Sequence, residues 1–329
     1  MKIIVDAMGG DNAPFEVIDG AYRAAKDFGV NIILVGDGKV INSYREEKSY
    51  ISSLVTVAHA EDAIGYEDDA TSVIKRKKNS SMAVGLKMLS NDEGDAFVSA
   101  GNTGALISGA TLIVKRIKGV RRAALAPVIP TQNGFTLMLD AGATSDCKPQ
   151  FLQQFGIMGS VYMKKLYDMP EPRVGLINIG VEDNKGGEVA VEANKLLKKT
   201  PVNYVGNIES RELLFDAADV AVCDGFTGNI ILKLIEGAAA FFFGNIKRVF
   251  ESSVTAKLAA AVVMGSLREF KKSMDYTEHG GAPLLGISKP VIKAHGSSDA
   301  NAFYHAIRQA VKFTQTGVIE EITEYIKEM

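Results

Sequence analysis

Short β-rich runs alternate with longer amphipathic stretches along this chain, and glycine turns stand where the runs end. That rhythm constrains the fold more than any other feature. The runs cover residues 3–5, 32–35, 55–58, 96–99, 136–139, 174–179, 202–205 and 220–223. Several are apolar throughout, as strands are when helices cover both faces of their sheet. Helical spacing is clearest over 16–28, 103–117, 149–166, 187–198, 229–250 and 300–313. The pattern predicts βαβ units and an α/β class: a largely parallel sheet in a three-layer α/β/α arrangement. After Cys223 the spacing turns mostly helical, and no low-complexity linker interrupts the 329 residues. One unit spanning residues 1–329, with two lobes sharing a sheet, is therefore expected in place of two tethered domains.

Charge and cysteine content exclude several function classes. Lys plus Arg number 37 against 39 Asp plus Glu, a net of −2, so no global basic field draws the chain to nucleic acid. The two cysteines, Cys147 and Cys223, form neither a Cys-x-x-Cys pair nor a cluster with His, which fits core thiols in a reducing cytoplasm and argues against zinc. The opening Met1-Lys2-Ile3-Ile4-Val5-Asp6 meets an acid before a secretory apolar segment could form. Uncharged stretches at 96–114 and 123–139 are broken by Gly, Asn, Thr or Pro, so no transmembrane helix is expected.

The 32 glycines cluster just after the runs, where open α/β sheets bind ligands. Such loops carry Asp6 and Asp11, Asn102 with Thr103 and Gly104, Asp140, Asn178, Asp224 with Thr227 and Asn229, and His295 with Ser297. Two of them, Val98-Ser-Ala-Gly-Asn-Thr-Gly-Ala105 and Val222-Cys-Asp-Gly-Phe-Thr-Gly-Asn229, share the frame Val-x-x-Gly-x-Thr-Gly. Each reads as a strand, a glycine turn and a threonine at a helix N-cap, a seat for phosphate or a developing oxyanion. A plain capped turn is the alternative. No dinucleotide fingerprint or P-loop is present, so nucleotide binding is unsupported.

Two further stretches carry charge or apolar spacing. Lys75-Arg76-Lys77-Lys78-Asn79-Ser80-Ser81 offers cations and hydroxyls together, suited either to a solvated helix end or to phosphate or an acidic protein. Among the histidines, His295 is placed to move a proton near neutral pH, whereas His59, His279 and His305 read as structural. Over 245–274 an amphipathic helical segment places Phe250, Val254, Leu258 and Val262 on an apolar stripe among Lys and Arg. Such a stripe is either a core or subunit face or a reversible membrane-surface helix.

Five stretches in order resemble the signatures of the bacterial phosphate acyltransferases of phospholipid synthesis. They are Val5-Asp-Ala-Met-Gly-Gly-Asp11, Arg76-Lys-Lys-Asn-Ser-Ser-Met82, Ser99-Ala-Gly-Asn-Thr-Gly-Ala105, Asp224-Gly-Phe-Thr-Gly-Asn229 and Ile292-Lys-Ala-His-Gly-Ser-Ser-Asp299. The resemblance covers essentially the whole chain. It implies a fold similar to isopropylmalate dehydrogenase and phosphotransacetylase, a homodimer, and no metal or other cofactor. It also implies a cytoplasmic enzyme that moves a fatty acyl group from acyl-acyl-carrier-protein to inorganic phosphate. That enzyme touches the membrane surface peripherally and hands acyl phosphate to a membrane glycerol-phosphate acyltransferase. Asn12 departs from the family's pattern, standing where a His is common. So does Ile177-Asn-Ile-Gly180, where the family more often has Leu first.

On that footing Asp6, Asp11, Asn229, His295 and Ser297 are the candidate catalytic residues. Substrate binding is assigned to Lys77, Lys78, Asn102, Thr103, Gly104, Asp140, Asn178, Lys185, Asp224 and Thr227, and membrane contact to Phe250, Val254, Leu258 and Val262. No Gly-x-Ser-x-Gly elbow supplies an acyl-serine, so direct transfer is expected. A non-catalytic carrier-binding scaffold, a short-chain phosphotransacetylase and a decarboxylating dehydrogenase are the rival readings.

Overall fold

A computed structural model describes residues 1–273 and 280–328. The chain begins β1 (Lys2–Asp6), α1 (Phe15–Phe28), β2 (Asn31–Gly36), α2 (Gly38–Glu47), β3 (Val55–His59), α3 (Ser81–Ser90), β4 (Ala96–Ser99) and α4 (Thr103–Gly109). A π-helical turn, Ala110–Val114, leads to β5 (Ala124–Leu125), β6 (Val128–Pro130), β7 (Phe135–Leu139), α5 (Pro149–Tyr167), β8 (Arg173–Asn178), α6 (Glu188–Leu197) and β9 (Asn203–Glu209). The last part holds β10 (Val220–Val222), α7 (Gly225–Glu251), α8 (Val254–Ser273), β11 (Ala282–Leu285), β12 (Val291–Lys293), α9 (Ala300–Gln315) and α10 (Val318–Lys327).

Every expected run is a strand. The strands form two ladders, ordered β3-β2-β1-β4-β12-β11-β5 and β6-β7-β10-β8-β9, where one shared sheet was expected. Both are parallel except for β11 and its two neighbours and the β6–β7 pair. The physical reason for the split lies at Ala126-Pro127. Leu125 pairs with Leu284 in the first ladder, and three residues later Val128 pairs with Leu137 in the second. Proline has no N–H to continue a ladder, so the chain changes sheets there.

Alternation within β1 shows the layers directly. Ile3 and Val5 pack among Val17, Ile18, Phe303 and Ile307 of α1 and α9, whereas Ile4 faces Met82, Leu86 and Leu106 of α3 and α4. In the second ladder Leu137, Leu139 and Val222 pack with Phe155 of α5, and Met138 and Ala221 lie opposite with Leu232 and Ile235 of α7. The apolar core that includes α5 is continuous across both ladders. Gln309 of α9 donates to the buried Tyr162 hydroxyl of α5 at 2.8 Å, tying the lobes together. Cys147 and Cys223 are both buried thiols.

Helices α7 and α8 depart from the three-layer plan. Only Gly225 and Gly228 of α7 are buried, although the helix is long and apolar enough to cross a bilayer. The amphipathic segment expected over 245–274 is two helices, broken at Ser252-Ser253, and Met274 lies outside the described residues. Its apolar surface extends upstream through Leu234, Phe241 and Phe242, all exposed. His279 also lies outside the described residues; His59 accepts a hydrogen bond from the Gly38 N–H, and His305 is buried.

Candidate functional site

A cleft of about 320 Å³ opens where the carboxyl ends of both ladders face each other. Thr103 and Gly104 reach it from the start of α4, and Lys293, His295 and Ser298 from the end of β12. From the second lobe come Gly142 and, on α7, the apolar Leu232 with the polar Asn229, Lys233 and Glu236. The last three recur at i, i+4 and i+7, so one helix face presents all of them.

The candidate residues divide by whether their polar atoms are already engaged. Asp140 is buried and accepts N–H groups from Thr144 (2.6 Å), Leu125 (2.9 Å), Ala143 (3.0 Å) and Gly142 (3.2 Å). Burial pushes its carboxyl up to about 6, against the pull of those four donors. It templates the loop instead of meeting substrate. Asp224 caps α7, accepting from the Thr227 N–H at 2.9 Å and the Thr227 hydroxyl at 2.7 Å. Asn102 caps α4 through the Ala105 N–H and donates its amide to three carbonyls of residues 65–68. The expected threonine caps are thus corrected. The caps are Asn102 and Asp224, one and three residues ahead of Thr103 and Thr227, so the two echoing loops are not equivalent.

Asp6 is buried and accepts from the Ser99 hydroxyl at 2.6 Å, with burial raising its pKa. Asp11 accepts from the Tyr66 hydroxyl at 2.6 Å, and its N–H bonds the Gly296 carbonyl. Asn12, at the position where the family commonly has His, donates to the carbonyls of Ser297 and Ser298 and clasps the same loop. The Lys77 ammonium is held by Asp68 (2.9 Å), Asp62 (3.5 Å) and the Ala63 carbonyl, so it pins its own loop beside a second cavity shared with Gly10, Tyr66 and Asn102. Lys78 is exposed. Asn178 donates to the Lys185 carbonyl, and Lys185 faces Glu182 at 4.0 Å; neither residue lines the 320 Å³ cleft.

What remains open in the cleft is a small set. The Thr103 hydroxyl and the Asn229 amide engage no protein partner among the described residues. Ser298, 4% exposed, carries a buried hydroxyl without a partner among the described residues. Lys293 is 9% exposed and bonds the carbonyls of Ala100 and Ala294, and burial draws its pKa down to about 8. His295 takes the Ser297 N–H at 3.3 Å and lies 2.8 Å from the Ser297 hydroxyl, both at Nδ1. The neutral ring therefore carries its proton on Nε2, 3.9 Å from Glu236. Burial lowers the His295 pKa, with Glu236 opposing. Lys233 pairs with Glu236 at 2.8 Å. The sequence reading missed Lys233, Glu236, Lys293 and Ser298. The 229/233/236 spacing could have found the first two, and the other two sit inside the quoted His295 motif.

Residues 1–321 of the chain match a family model described as "Fatty acid synthesis protein". It is 47% identical over 329 residues to a phosphate acyltransferase of Alkaliphilus oremlandii, covering 100% of this chain and 98% of the relative. The chain belongs to the phosphate acyltransferase family. A Bacillus subtilis phosphate acyltransferase is 48% identical over 331 residues, covering 100% of this chain and 98% of that one. Among solved structures, a phosphotransacetylase from Streptococcus pyogenes superposes with a TM-score of 0.64 at 16% identity, covering 97% of this chain and 94% of the other. The three-layer α/β/α architecture is thus one that this phosphate acyltransferase family member has in common with phosphotransacetylases.

Proposed function

We propose that the protein transfers a fatty acyl group from acyl-acyl-carrier-protein to inorganic phosphate, yielding acyl phosphate for phosphatidic acid synthesis. The observation that carries this reading is a cleft in which open neutral donors, Thr103 and Asn229, stand beside the buried cation Lys293, in a chain of this family. A phosphate oxygen attacks the thioester carbonyl carbon, and the carbonyl electron pair moves onto oxygen. Collapse breaks the C–S bond and sulfur leaves with its electron pair. The proton that hydrogen phosphate gives up ends on the thiol. Thr103 and Asn229 donate to phosphate and the oxyanion, Lys293 balances charge, and the neutral His295 donates its Nε2–H as a hydrogen bond to the departing sulfur, which takes the proton that phosphate has given up. Incubation with a long-chain acyl-carrier-protein should release thiol and hydroxylamine-trappable acyl phosphate only when phosphate is present. Thiol without acyl phosphate would mean a thioesterase, and a preference for acetyl-coenzyme A would mean a short-chain phosphotransacetylase.

Lys293 acts here as an ammonium, so kcat/KM should fall as pH rises through about 8, where it loses its proton. The limb should be absent from the residual activity of Lys293→Gln. A wild-type profile flat to pH 9.5 would remove Lys293 from this role.

The same proposal places the enzyme in the cytoplasm as a homodimer that visits the membrane and passes its product to a glycerol-phosphate acyltransferase there. The α7–α8 hairpin supports it, exposing Val254 (76%), Leu258 (65%) and Val262 (86%) beside Lys247, Arg248 and Lys257, with Phe250 half-buried. Each apolar side chain that enters lipid contributes roughly 1.5–3 kcal/mol. Wild-type protein should float with anionic liposomes and Leu258→Glu should not. Equal flotation of both would exclude this helix as the anchor, and dissociation of a dimer by Leu258→Glu would assign the face to a second copy.

A further inference from the structure

One strongly charged surface has no place in the mechanism above. Lys115, Arg116, Lys118, Arg121 and Arg122 put five cations into eight residues, and no Asp or Glu occurs between Asp95 and Asp140. Four of the five are exposed and Arg116 is half-buried. Among the described residues none forms an ion pair with a carboxylate. The other basic run, Lys75 to Lys78, differs in this respect: Asp62 and Asp68 hold Lys77, and Asp69 interacts with Lys75 and Arg76. The uncompensated field therefore lies at 115–122.

Behind this strip is a cavity of about 270 Å³. Arg116 and Arg122 line it with the hydroxyl residues Thr111 and Ser145, and Asp146 is its one carboxylate. The Arg122 guanidinium lies 5.6 Å from the Phe151 ring centre, and Arg116 is anchored on the Arg121 carbonyl. Two segments join this cavity to the reaction cleft. The loop following Asp140 puts Ala141 and Gly142 in the cleft and Ala143 and Thr144 in the cavity. The α4 helix and the π-helical turn that continues it do the same with Gly104 and Thr111, about 10 Å apart at the helical rise.

We propose that the strip from Lys115 to Arg122 docks the acidic carrier protein, with the Arg116–Arg122 cavity seating the phosphodiester that links the carrier to its thiol arm. This rests on the reading that an acyl-carrier thioester is the donor. Guanidinium pairs match phosphate oxygens, and an uncompensated cationic strip steers an acidic partner into register. The arm then runs along α4 with its thioester in the cleft.

The test uses Lys118→Glu/Arg121→Glu for the strip and Arg122→Gln for the cavity, with Lys75→Glu/Arg76→Glu as the comparison. Carrier affinity is measured by fluorescence anisotropy. Turnover is measured with acyl-carrier-protein and with an acyl N-acetylcysteamine thioester, which has neither carrier nor phosphodiester. We expect the strip and cavity variants to raise Kd and KM for the carrier by about tenfold or more. Turnover of the small thioester should stay within about twofold, showing an intact cleft. Unchanged carrier affinity, or a loss confined to Lys75→Glu/Arg76→Glu, would overturn the proposal. So would a rise in the phosphate KM alone, which would make the cavity a seat for inorganic phosphate, or loss of liposome binding alone, which would make the strip a lipid contact. If the wild type binds carrier through the strip yet makes no acyl phosphate, the docking surface stands and the proposed reaction falls.

Discussion

Replacing Asn229 by alanine lowers kcat by about a hundredfold to a thousandfold, the usual cost of losing one donor to a developing oxyanion, and leaves thermal stability within about 0.5 kcal/mol. The contrast comes from where the side chain stands. Asn229 is exposed in the first turn and a half of α7, and its amide supports nothing else in the fold. Deleting it removes an interaction that exists only when substrate is bound. Steady-state kinetics and a melting curve on the same preparation give both numbers. Near-normal turnover would take Asn229 out of the reaction, and a large loss of stability would make it a structural residue.

Gly228→Ala has the opposite signature. A Cβ at Gly228 would lie 1.9 Å from the Asp140 carbonyl oxygen and 2.9 Å from the Cys223 sulfur. The carbonyl cannot retreat easily, because four N–H groups hold the Asp140 carboxylate and the Asp140 N–H bonds the Cys223 carbonyl. Relief requires shifting the start of α7, at a cost of about 3 kcal/mol or more. The melting temperature should drop by several degrees, and activity should fall with it because Asn229 moves too. A variant that melts like the wild type would show that α7 is not seated against Asp140. Gly225→Ala, whose Cβ would come within 2.7 Å of an Asp140 carboxylate oxygen and the Thr144 carbonyl, should behave similarly.

Much of the fold was legible from local pattern, since each apolar run between glycine turns became a strand. The strands β5, β6, β11 and β12 escaped notice because they have two to four residues each, too few for any periodicity, and are interleaved with Pro and Gly. The change of sheet at Pro127 was hidden for the same reason. For the site, the loops were located correctly but the division of labour within them was not. Thr103 and Thr227 look alike in sequence, yet Thr227 spends its hydroxyl on Asp224 while Thr103 keeps its own for the cleft. That difference depends on whether the helix cap stands one or three residues earlier. Lys77 reads as a phosphate ligand by type, but the three-dimensional approach of Asp62 and Asp68 neutralises it.

The passage of the chain from one sheet to the other bears on how substrates of different size are handled. Leu125 belongs to the first ladder and donates its N–H to Asp140 at the end of the second, two residues before the crossing at Pro127. The back of the cleft is therefore strutted by covalent backbone and a buried hydrogen bond, in contrast to two bodies swinging on a flexible linker. Its width is a property of the folded chain and is already set when substrate arrives. A longer acyl chain has to be taken up along the open sides of the gap, so chain-length preference should be written in the side chains at its rims.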